Sequence, residues 1–147
     1  MPKQLREMRA IINFFTEDIV FKISEKSRLR KWIINAIKQE NKIPGDINLV
    51  FTSDNYLLVL NKKYFERNEL TDTITFPLSE EEVIVSGDAY ISIDRIHENA
   101  SKYKITFEEE FRRVIIHSLL HLVGYDDLTI KEKRIMTEKE DYLLAKY

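Results

Sequence analysis

The segment from Val114 to Asp127, VIIHSLLHLVGYDD, constrains the fold of this chain more than any other stretch. Up to Val123 it is apolar on almost every side of a helix, so such a helix must lie in the protein interior. His117 and His121 interrupt the run four residues apart, which places both imidazoles on one side of the helix, one turn apart. Buried polar groups cost free energy unless they are paired. The fold must therefore supply partners for two adjacent histidines, and one bound cation would satisfy both.

The residues after the histidines suggest a third ligand for such a cation. Gly124 allows the chain to reverse, so Asp126 and Asp127 return toward the imidazoles. The chain contains no cysteine, so nitrogen and oxygen atoms must hold any metal. We predict a site formed by His117, His121 and Asp127, with Asp126 as the alternative third ligand. Such a set leaves a coordination position open for water, as catalytic metal sites do. Two core histidines bonded to backbone carbonyls remain the other interpretation.

The rest of the chain predicts one domain, residues 1–147, because no repeat or linker divides it. Alternation of β-forming residues, helical spacing and capping residues indicate a mixture of strands and helices. The fold class is therefore α/β (α+β), a small mixed β-sheet packed with helices, with the metal site on a buried central helix. Strands are predicted over Ile12–Phe21, Asp46–Thr52 and Thr71–Phe76, and on both sides of a turn at Ser86–Gly87. Helices are predicted from Ser27, from Ser53 or Asp54, over Arg95–Tyr103, and after capping boxes at Thr106 and Thr129.

Charge and hydropathy exclude several classes of protein. The formal net charge is −2, which argues against non-specific coating of nucleic acid but allows an enzyme that binds RNA in one cleft. No apolar run approaches the roughly 18 to 20 residues that span a bilayer, so no membrane association is expected. The N-terminal sequence lacks the apolar core of a signal peptide, and the absence of cysteine fits a reducing compartment. A cytoplasmic location is the expectation.

The histidine segment resembles the signature of the YbeY endoribonuclease family, His-Gly-x-Leu-His-Leu-x-Gly-Tyr-Asp-His. Residues 117–127 match it except at two positions: Ser118 stands where the family has Gly, and Asp127 stands where it usually has a third His. Three further motifs resemble the family in the same order along the chain. They are Leu60-Asn61 followed by TDTITFP, then GDAYIS at Gly87–Ser92, and last Met136 with Glu140.

The resemblance implies an endoribonuclease that acts on single-stranded RNA in rRNA maturation and ribosome biogenesis. It implies one Zn²⁺ per chain as cofactor, and an rRNA precursor and the small ribosomal subunit as partners. The family often carries an arginine at the position of Phe65, and Arg67 is the candidate to supply that charge as a catalytic residue. Asp72 and Asp88 are candidates to orient the site through hydrogen bonds.

Two other residues and two other functions stay open. Arg112 and Arg113 are candidates for phosphate contacts, although an ion pair of Arg113 with Glu109 or Glu110 is the simpler interpretation. A zinc metalloprotease shares the histidine spacing, but Ser118 occupies the place of its general base, a Glu. The second alternative is a non-catalytic RNA-binding factor of ribosome assembly whose metal is structural.

Overall fold

The computed structural model describes residues 10–147, which form a four-stranded sheet and five helices. The strands are β1 (Ile11–Thr16), β2 (Ile43–Thr52), β3 (Thr73–Pro77) and β4 (Ile84–Ser92). The helices are α1 (Lys26–Gln39), α2 (Asp54–Phe65), α3 (Ile93–Tyr103), α4 (Phe107–Val123) and α5 (Ile130–Leu144). In the sheet order β1-β2-β4-β3, the first three strands are parallel and β3 runs antiparallel to β4. The predicted α+β fold with a mixed sheet is confirmed.

Helix α4 is the centre of the hydrophobic core. Its apolar run packs against β3 and β4 and against the neighbouring helices α1, α3 and α5. Ile115 and Ile116 are fully buried, as the continuous apolar pattern requires. The facing side of the sheet supplies alternate residues of β2 and β4, including Leu49, Phe51 and Ile91. The histidines therefore project from a helix that is enclosed by the sheet and by three other helices.

The opposite face of the sheet carries a polar ladder instead. Asn13 donates a hydrogen bond to Asn48 (3.1 Å), and Asn48 donates one to Asp88 (2.9 Å). Asp88 alternates with the buried Ala89, so its side chain points away from α4. The hypothesis that Asp88 helps to orient the metal site is therefore wrong.

The turn predicted at Ser86–Gly87 is also wrong, because β4 runs through it without a break. Gly87 has φ +147°, and a Cβ there would overlap the carbonyl oxygen of Phe76 and lie 3.0 Å from Cα of Pro77. A glycine within a strand marks either a turn or a close approach of another chain segment. Here it allows β3 to approach β4.

Several other boundaries differ from the predictions by two or three residues, as at the starts of β2, β3 and α3, and two differences are more informative. The first strand ends at Thr16, and Phe21 packs its ring against Phe51 and Phe111 at 5.5 and 5.7 Å between centroids. Helix α1 begins at Lys26, after Glu25 in a left-handed conformation (φ 58°), and no side chain caps it. Burial of apolar side chains in the core thus determines where β1 ends and where α1 begins more than local alternation or capping does.

Side chains cap the other helices, but the box predicted at Thr106 is only half formed: the Thr106 hydroxyl accepts from the Glu109 amide, and the Glu109 carboxylate does not return a bond to Thr106. Ser53 accepts a hydrogen bond from the Tyr56 amide and begins α2, and Thr129 forms a complete capping box with Glu132 at α5. Gly124 ends α4 with φ 123°. Within residues 10–147, no helix is both long enough and apolar enough to cross a membrane.

Candidate metal centre

His117 and His121 converge with Asp127 at the C-terminal end of α4. Their Nε2 atoms lie 3.0 Å apart, and one oxygen of Asp127 lies 3.3 Å from the first and 3.5 Å from the second. Donors bonded to zinc at about 2.0–2.1 Å with tetrahedral angles lie ~3.4 Å from one another. The two separations to Asp127 fit that spacing, and the two nitrogens, which share a hydrogen bond, lie somewhat closer at 3.0 Å. Nitrogen and oxygen donors of this kind suit zinc, so the residues present fit the cofactor that the resemblance implies.

The turn after α4 places the carboxylate. Gly124 adopts φ 123°, and the amide of Tyr125 donates to the carbonyl of Leu120 (2.9 Å), which reverses the chain. Asp127 then returns to the imidazoles, whereas Asp126 is exposed and does not belong to the group. The structure therefore places Asp127, and not the alternative Asp126, beside both histidines. Coordination of a metal by the three residues remains a prediction.

Each imidazole is oriented by a bond at its other nitrogen. Nδ1 of His121 donates to the backbone carbonyl of Tyr125 (3.0 Å), and Nδ1 of His117 bonds a carboxylate oxygen of Glu140 (2.6 Å). A carbonyl only accepts, so the proton of His121 is on Nδ1, and its Nε2 lone pair accepts a hydrogen bond from Nε2 of His117 at 3.0 Å. Outer partners of this type fix the tautomer and increase the basicity of metal-binding histidines.

Glu140 is itself held in place from α4. Arg113 contacts one oxygen of Glu140 at 3.2 Å and also pairs with Asp141 at 3.2 Å. The predicted ion pair of Arg113 with Glu109 or Glu110 is therefore wrong. Arg112 lies over the ring of Tyr147, 4.5 Å from its centroid. Arg113 thus positions Glu140, the partner of His117, and Glu140 is only 6% exposed.

The surroundings of His117 favour positive charge. Burial disfavours the imidazolium, but the hydrogen bond and charge of Glu140, together with Asp72 and Asp127, outweigh it and raise the pKa of His117. The same negative groups favour a bound cation in place of a proton. Among the described residues, His117, His121 and Asp127 are the group whose spacing suits a metal ion.

We expect Glu140→Gln to weaken zinc binding by about 10- to 100-fold, because outer partners of metal-bound histidines contribute that much. The glutamine keeps the shape of the side chain but removes the charge beside His117. Competition with a chromophoric zinc chelator measures the change. Asp141→Asn is the matched control, since it removes the other partner of Arg113 and leaves His117 untouched. Equal zinc affinity of the Glu140 and Asp141 variants would contradict this role.

Two cavities open beside the metal group. The helix cavity, about 550 Å³, lies between α3, α4 and α5 and is lined by Asn99, Tyr103, Ile105, Glu110, Arg113, Val114, Lys133, Met136, Thr137 and Glu140. The strand cavity, about 370 Å³, lies between the end of α2 and β3 and is lined by Asn61, Phe65, Arg67, Glu69, Leu70, Thr71, Thr73, Ile74, Thr75 and His121. Both cavities also include Asp72, His117 and Asp127. An extended ligand that occupied both cavities would pass over the metal group.

The strand cavity contains the residue predicted to replace the family arginine. Arg67 is exposed and lines this cavity together with all three candidate ligands and Asp72. Phe65, at the position of the family arginine, instead stacks on Phe76 with 6.2 Å between ring centroids. Arg67 is thus placed where a cation would face a bound phosphate, and its catalytic role remains a prediction. Asp72 lines both cavities, and its predicted role in orienting the site through hydrogen bonds remains a prediction.

Ser118 is directed away from the metal group. It is fully buried, donates to the carbonyl of Val114 (2.7 Å) and shares a hydrogen bond with Thr73 of β3 (2.8 Å). The general base of a zinc metalloprotease occupies this sequence position and must reach the metal-bound water. A hydroxyl engaged with β3 cannot do so, which argues against the protease alternative.

Glu110 is a buried acid at the wall of the helix cavity. Burial raises its pKa, the charge of Asp72 adds to the rise, and Arg113 and Asn99 oppose it. The folded protein therefore binds this proton more tightly than the unfolded chain does. As the pH rises through the ordinary value of 4.5, ionisation of Glu110 costs the folded state increasing free energy, and the cost levels off above the folded pKa.

We expect Glu110→Gln to raise the free energy of unfolding at pH 7, with a gain that shrinks as the pH falls and vanishes below about 4.5. Urea denaturation at several pH values measures the difference from the parent. Glu109→Gln, at an exposed position of the first turn of α4, is the control and is not expected to share the gain. A gain that grows toward acid pH would contradict the assignment.

The fold packs a mixed sheet on a buried helix with two histidines, and the loop after that helix adds a carboxylate beside two cavities. This arrangement is typical of a small hydrolase with a metal centre. The model of the family described as Endoribonuclease YbeY matches residues 11–147. Proteins named endoribonuclease YbeY are similar to this chain, and one from Amoebophilus asiaticus is 44% identical over 93% of this chain and 94% of its own. Another, from Flavobacterium psychrophilum, is 44% identical over 86% and 90%. The chain belongs to the YbeY endoribonuclease family.

A solved structure shares the fold. The solution structure of a Thermotoga maritima protein is similar with a TM-score of 0.65 and 30% sequence identity, over 91% of this chain and 87% of that one. The metal group, the two cavities and the sheet order described above all lie within the matched part of the chain. The resemblance noted in the sequence is therefore confirmed.

Sequence reasoning missed how Glu140 and Glu110 are used and missed Asn99 altogether. A signal for Glu140 exists, because it shares one face of α5 with the buried Met136 and Leu143. An acid on the apolar face of a helix needs a partner. No such signal marks the wall of the helix cavity, which three separate helices create.

Proposed function

We propose that this protein is a zinc-dependent endoribonuclease that cleaves single-stranded RNA, with His117, His121 and Asp127 as the metal ligands. One observation carries the proposal. Three donor atoms meet at near-tetrahedral spacing at the junction of two cavities, in a chain of the YbeY endoribonuclease family. The two cavities allow a strand to extend on both sides of the reacting phosphate.

The protein's own residues prepare this site. Glu140 and the carbonyl of Tyr125 hold the two imidazoles with their Nε2 atoms toward Asp127. Bound zinc would supply Lewis-acid stabilisation of the phosphate and a water of lowered pKa. Arg67, in the strand cavity, would pair with a phosphate oxygen and stabilise the negative charge that develops during cleavage.

The proposal extends to the biological substrate. The family resemblance supports an rRNA precursor as substrate, the small ribosomal subunit as partner, and a role in ribosome biogenesis in the cytoplasm. The net charge of −2 supports recognition in a local cleft and not through a broad basic surface. The absence of cysteine supports a reducing compartment.

A purely structural metal fits the geometry less well. Structural zinc sites are closed by four protein ligands, whereas this group has three and remains reachable. The side chains of His117, His121 and Asp127 are 21%, 22% and 34% exposed. This accessibility favours a catalytic over a structural role.

The test is cleavage of an end-labelled single-stranded RNA by the zinc-loaded protein, beside His121→Ala purified in the same way. We expect the parent to cleave the single strand but not the same sequence in a duplex, and the variant to be about 1,000-fold slower or worse, since the metal contributes several kcal/mol to the transition state. Chelation should abolish cleavage and added zinc should restore it. Equal cleavage by both preparations indicates a contaminating ribonuclease. Zinc binding without cleavage favours the non-catalytic assembly factor.

A further inference from the structure

The helix cavity has the size and position of a binding site beside the metal group. Its volume of about 550 Å³ lies within the roughly 300–1,000 Å³ of small-molecule sites. Its lining includes His117 and Asp127, so any group bound in it lies next to the proposed point of cleavage. The candidate ligands account for only this one edge of the cavity.

The charge of the cavity argues against a phosphate inside it. Apart from His117, its charged lining consists of four carboxylates, Asp72, Glu110, Asp127 and Glu140, and two cations, Arg113 and Lys133. Arg113 is already paired with Glu140 and Asp141. The excess of carboxylates repels an anion but not a neutral ring. An RNA strand with one phosphate at the metal group would therefore place a base, and not its next phosphate, in the helix cavity.

The walls provide surfaces suited to a flat ring. Ile105, Val114 and Met136 line the cavity with apolar atoms, and Tyr103 at its edge is 57% exposed. Exposed aromatic rings are the usual stacking partners of unpaired bases in RNA-binding proteins. Tyr103 lies at the C-terminal end of α3, so it is available to a base that enters from the surface.

Two polar side chains in the lining are able to form hydrogen bonds with the edge of such a ring. Glu110 is only 4% exposed, on α4, and Asn99 lines the same cavity from α3. An amide offers both a donor and an acceptor, and a carboxylate accepts from an amino group. The Asn99 amide already donates to Glu110, and burial still raises the pKa of this carboxyl, so the ionised form gains from a further donor that enters the cavity.

We propose that the helix cavity binds one nucleobase of the RNA strand, adjacent to the phosphate at the metal, with Tyr103 stacked on the ring and Asn99 and Glu110 bonded to its edge. The carboxylate favours bases with an exocyclic amino group, namely adenine, cytosine and guanine, over uracil, whose N3–H donor lies between two carbonyl oxygens that repel a carboxylate. The inference rests on the proposed function, since it assumes that the metal group marks the cleavage point.

The first test measures binding without cleavage. The full-length, zinc-loaded protein is titrated with adenosine, guanosine, cytidine and uridine, while NMR follows the ring signals of Tyr103 and the side-chain amide of Asn99. We expect at least one amino-bearing nucleoside to shift both sets of signals and uridine to bind about tenfold more weakly. Shifts of equal size and affinity with uridine, or shifts absent with all four nucleosides, would overturn the proposal.

Single substitutions separate the contribution of stacking on Tyr103 from that of the hydrogen bonds to the base edge. Tyr103→Ala should weaken nucleoside binding about tenfold, equivalent to ~1.4 kcal/mol, while Tyr103→Phe keeps the ring and most of the affinity. Asn99→Ala and Glu110→Gln should reduce the discrimination against uridine. Ser101→Ala, at an exposed position of the same helix, is the control. Loss of binding in Ser101→Ala, or none in Tyr103→Ala, would contradict the assignment.

The second test uses single-stranded RNAs that differ at one base beside a mapped cleavage position. The parent should cleave the uracil version about tenfold more slowly than the best of the others, and Glu110→Gln should narrow that difference. Equal rates for all four bases with the parent would overturn the inference while the proposed ribonuclease stands. Absence of cleavage, with nucleoside binding intact, would refute the proposed function and leave the cavity as a nucleoside site.

Discussion

Asp127→Ala is expected to lower the rate of RNA cleavage about 1,000-fold, whereas Asp127→His retains most of it. The alanine removes one of three donors to the proposed zinc and, with it, the charge beside both histidines. The histidine restores a donor of the type that the family signature usually carries at this position. Single-turnover cleavage of labelled RNA and zinc content after dialysis measure the two effects together.

Asp126→Ala provides the matched control for this prediction. It removes the neighbouring carboxylate, which is exposed and lies outside the metal group. We expect its cleavage rate and zinc content to equal those of the parent. The reverse result, with Asp126 essential and Asp127 dispensable, would show that the loop rearranges when metal binds and that the geometry described above is not the bound one.

Gly87→Ala is expected to destabilise the folded protein by about 3 kcal/mol, because two effects combine. The added Cβ overlaps the carbonyl oxygen of Phe76, so β3 and β4 must separate, and it lies 3.1 Å from Cδ2 of Leu122. The backbone also has φ +147°, which residues other than glycine rarely adopt. Urea denaturation measures the loss.

The matched variant is Gly124→Ala, which isolates the conformational part of this cost. Gly124 also has positive φ, at +123°, but no atom lies within 4 Å of an added Cβ. We expect a loss of only about 1 kcal/mol there. If both variants lower the free energy of unfolding by the same amount, the close packing of β3 on β4 is not the reason for glycine at position 87.

The central helix was predictable from the sequence because local signals determine it. Thr106 begins α4, Gly124 ends it, and an apolar run of this length allows only burial. The same local signals indicated Asp127, since a chain reversal directly after a helix returns to its last turn. Sequence reasoning therefore identified the three residues that the structure brings together, although their binding of a metal remains a prediction.

The remaining features depend on contacts between distant segments. The pair Ser86–Gly87 is typical of a turn, and only the position of β3 shows why the glycine lies inside a strand. Arg113 has acidic neighbours along its own helix, yet its partners come from α5. The helix cavity has no counterpart in the sequence, because Asn99 and Glu110 become neighbours only when α3 packs on α4.

The bond between Glu140 and His117 makes the last helix part of the metal centre. A second connection joins the ligand loop to the rest of the protein, since the hydroxyl of Tyr125 donates to Glu40 and Lys139 of α5 pairs with the same carboxylate. Thermodynamic linkage works in both directions, so the docked helix would increase the affinity of the three candidate ligands for a metal, and a bound metal would hold the helix in place. Loss of the ion would therefore loosen the C-terminal segment first, and protease sensitivity near α5 would report how much of the protein is loaded.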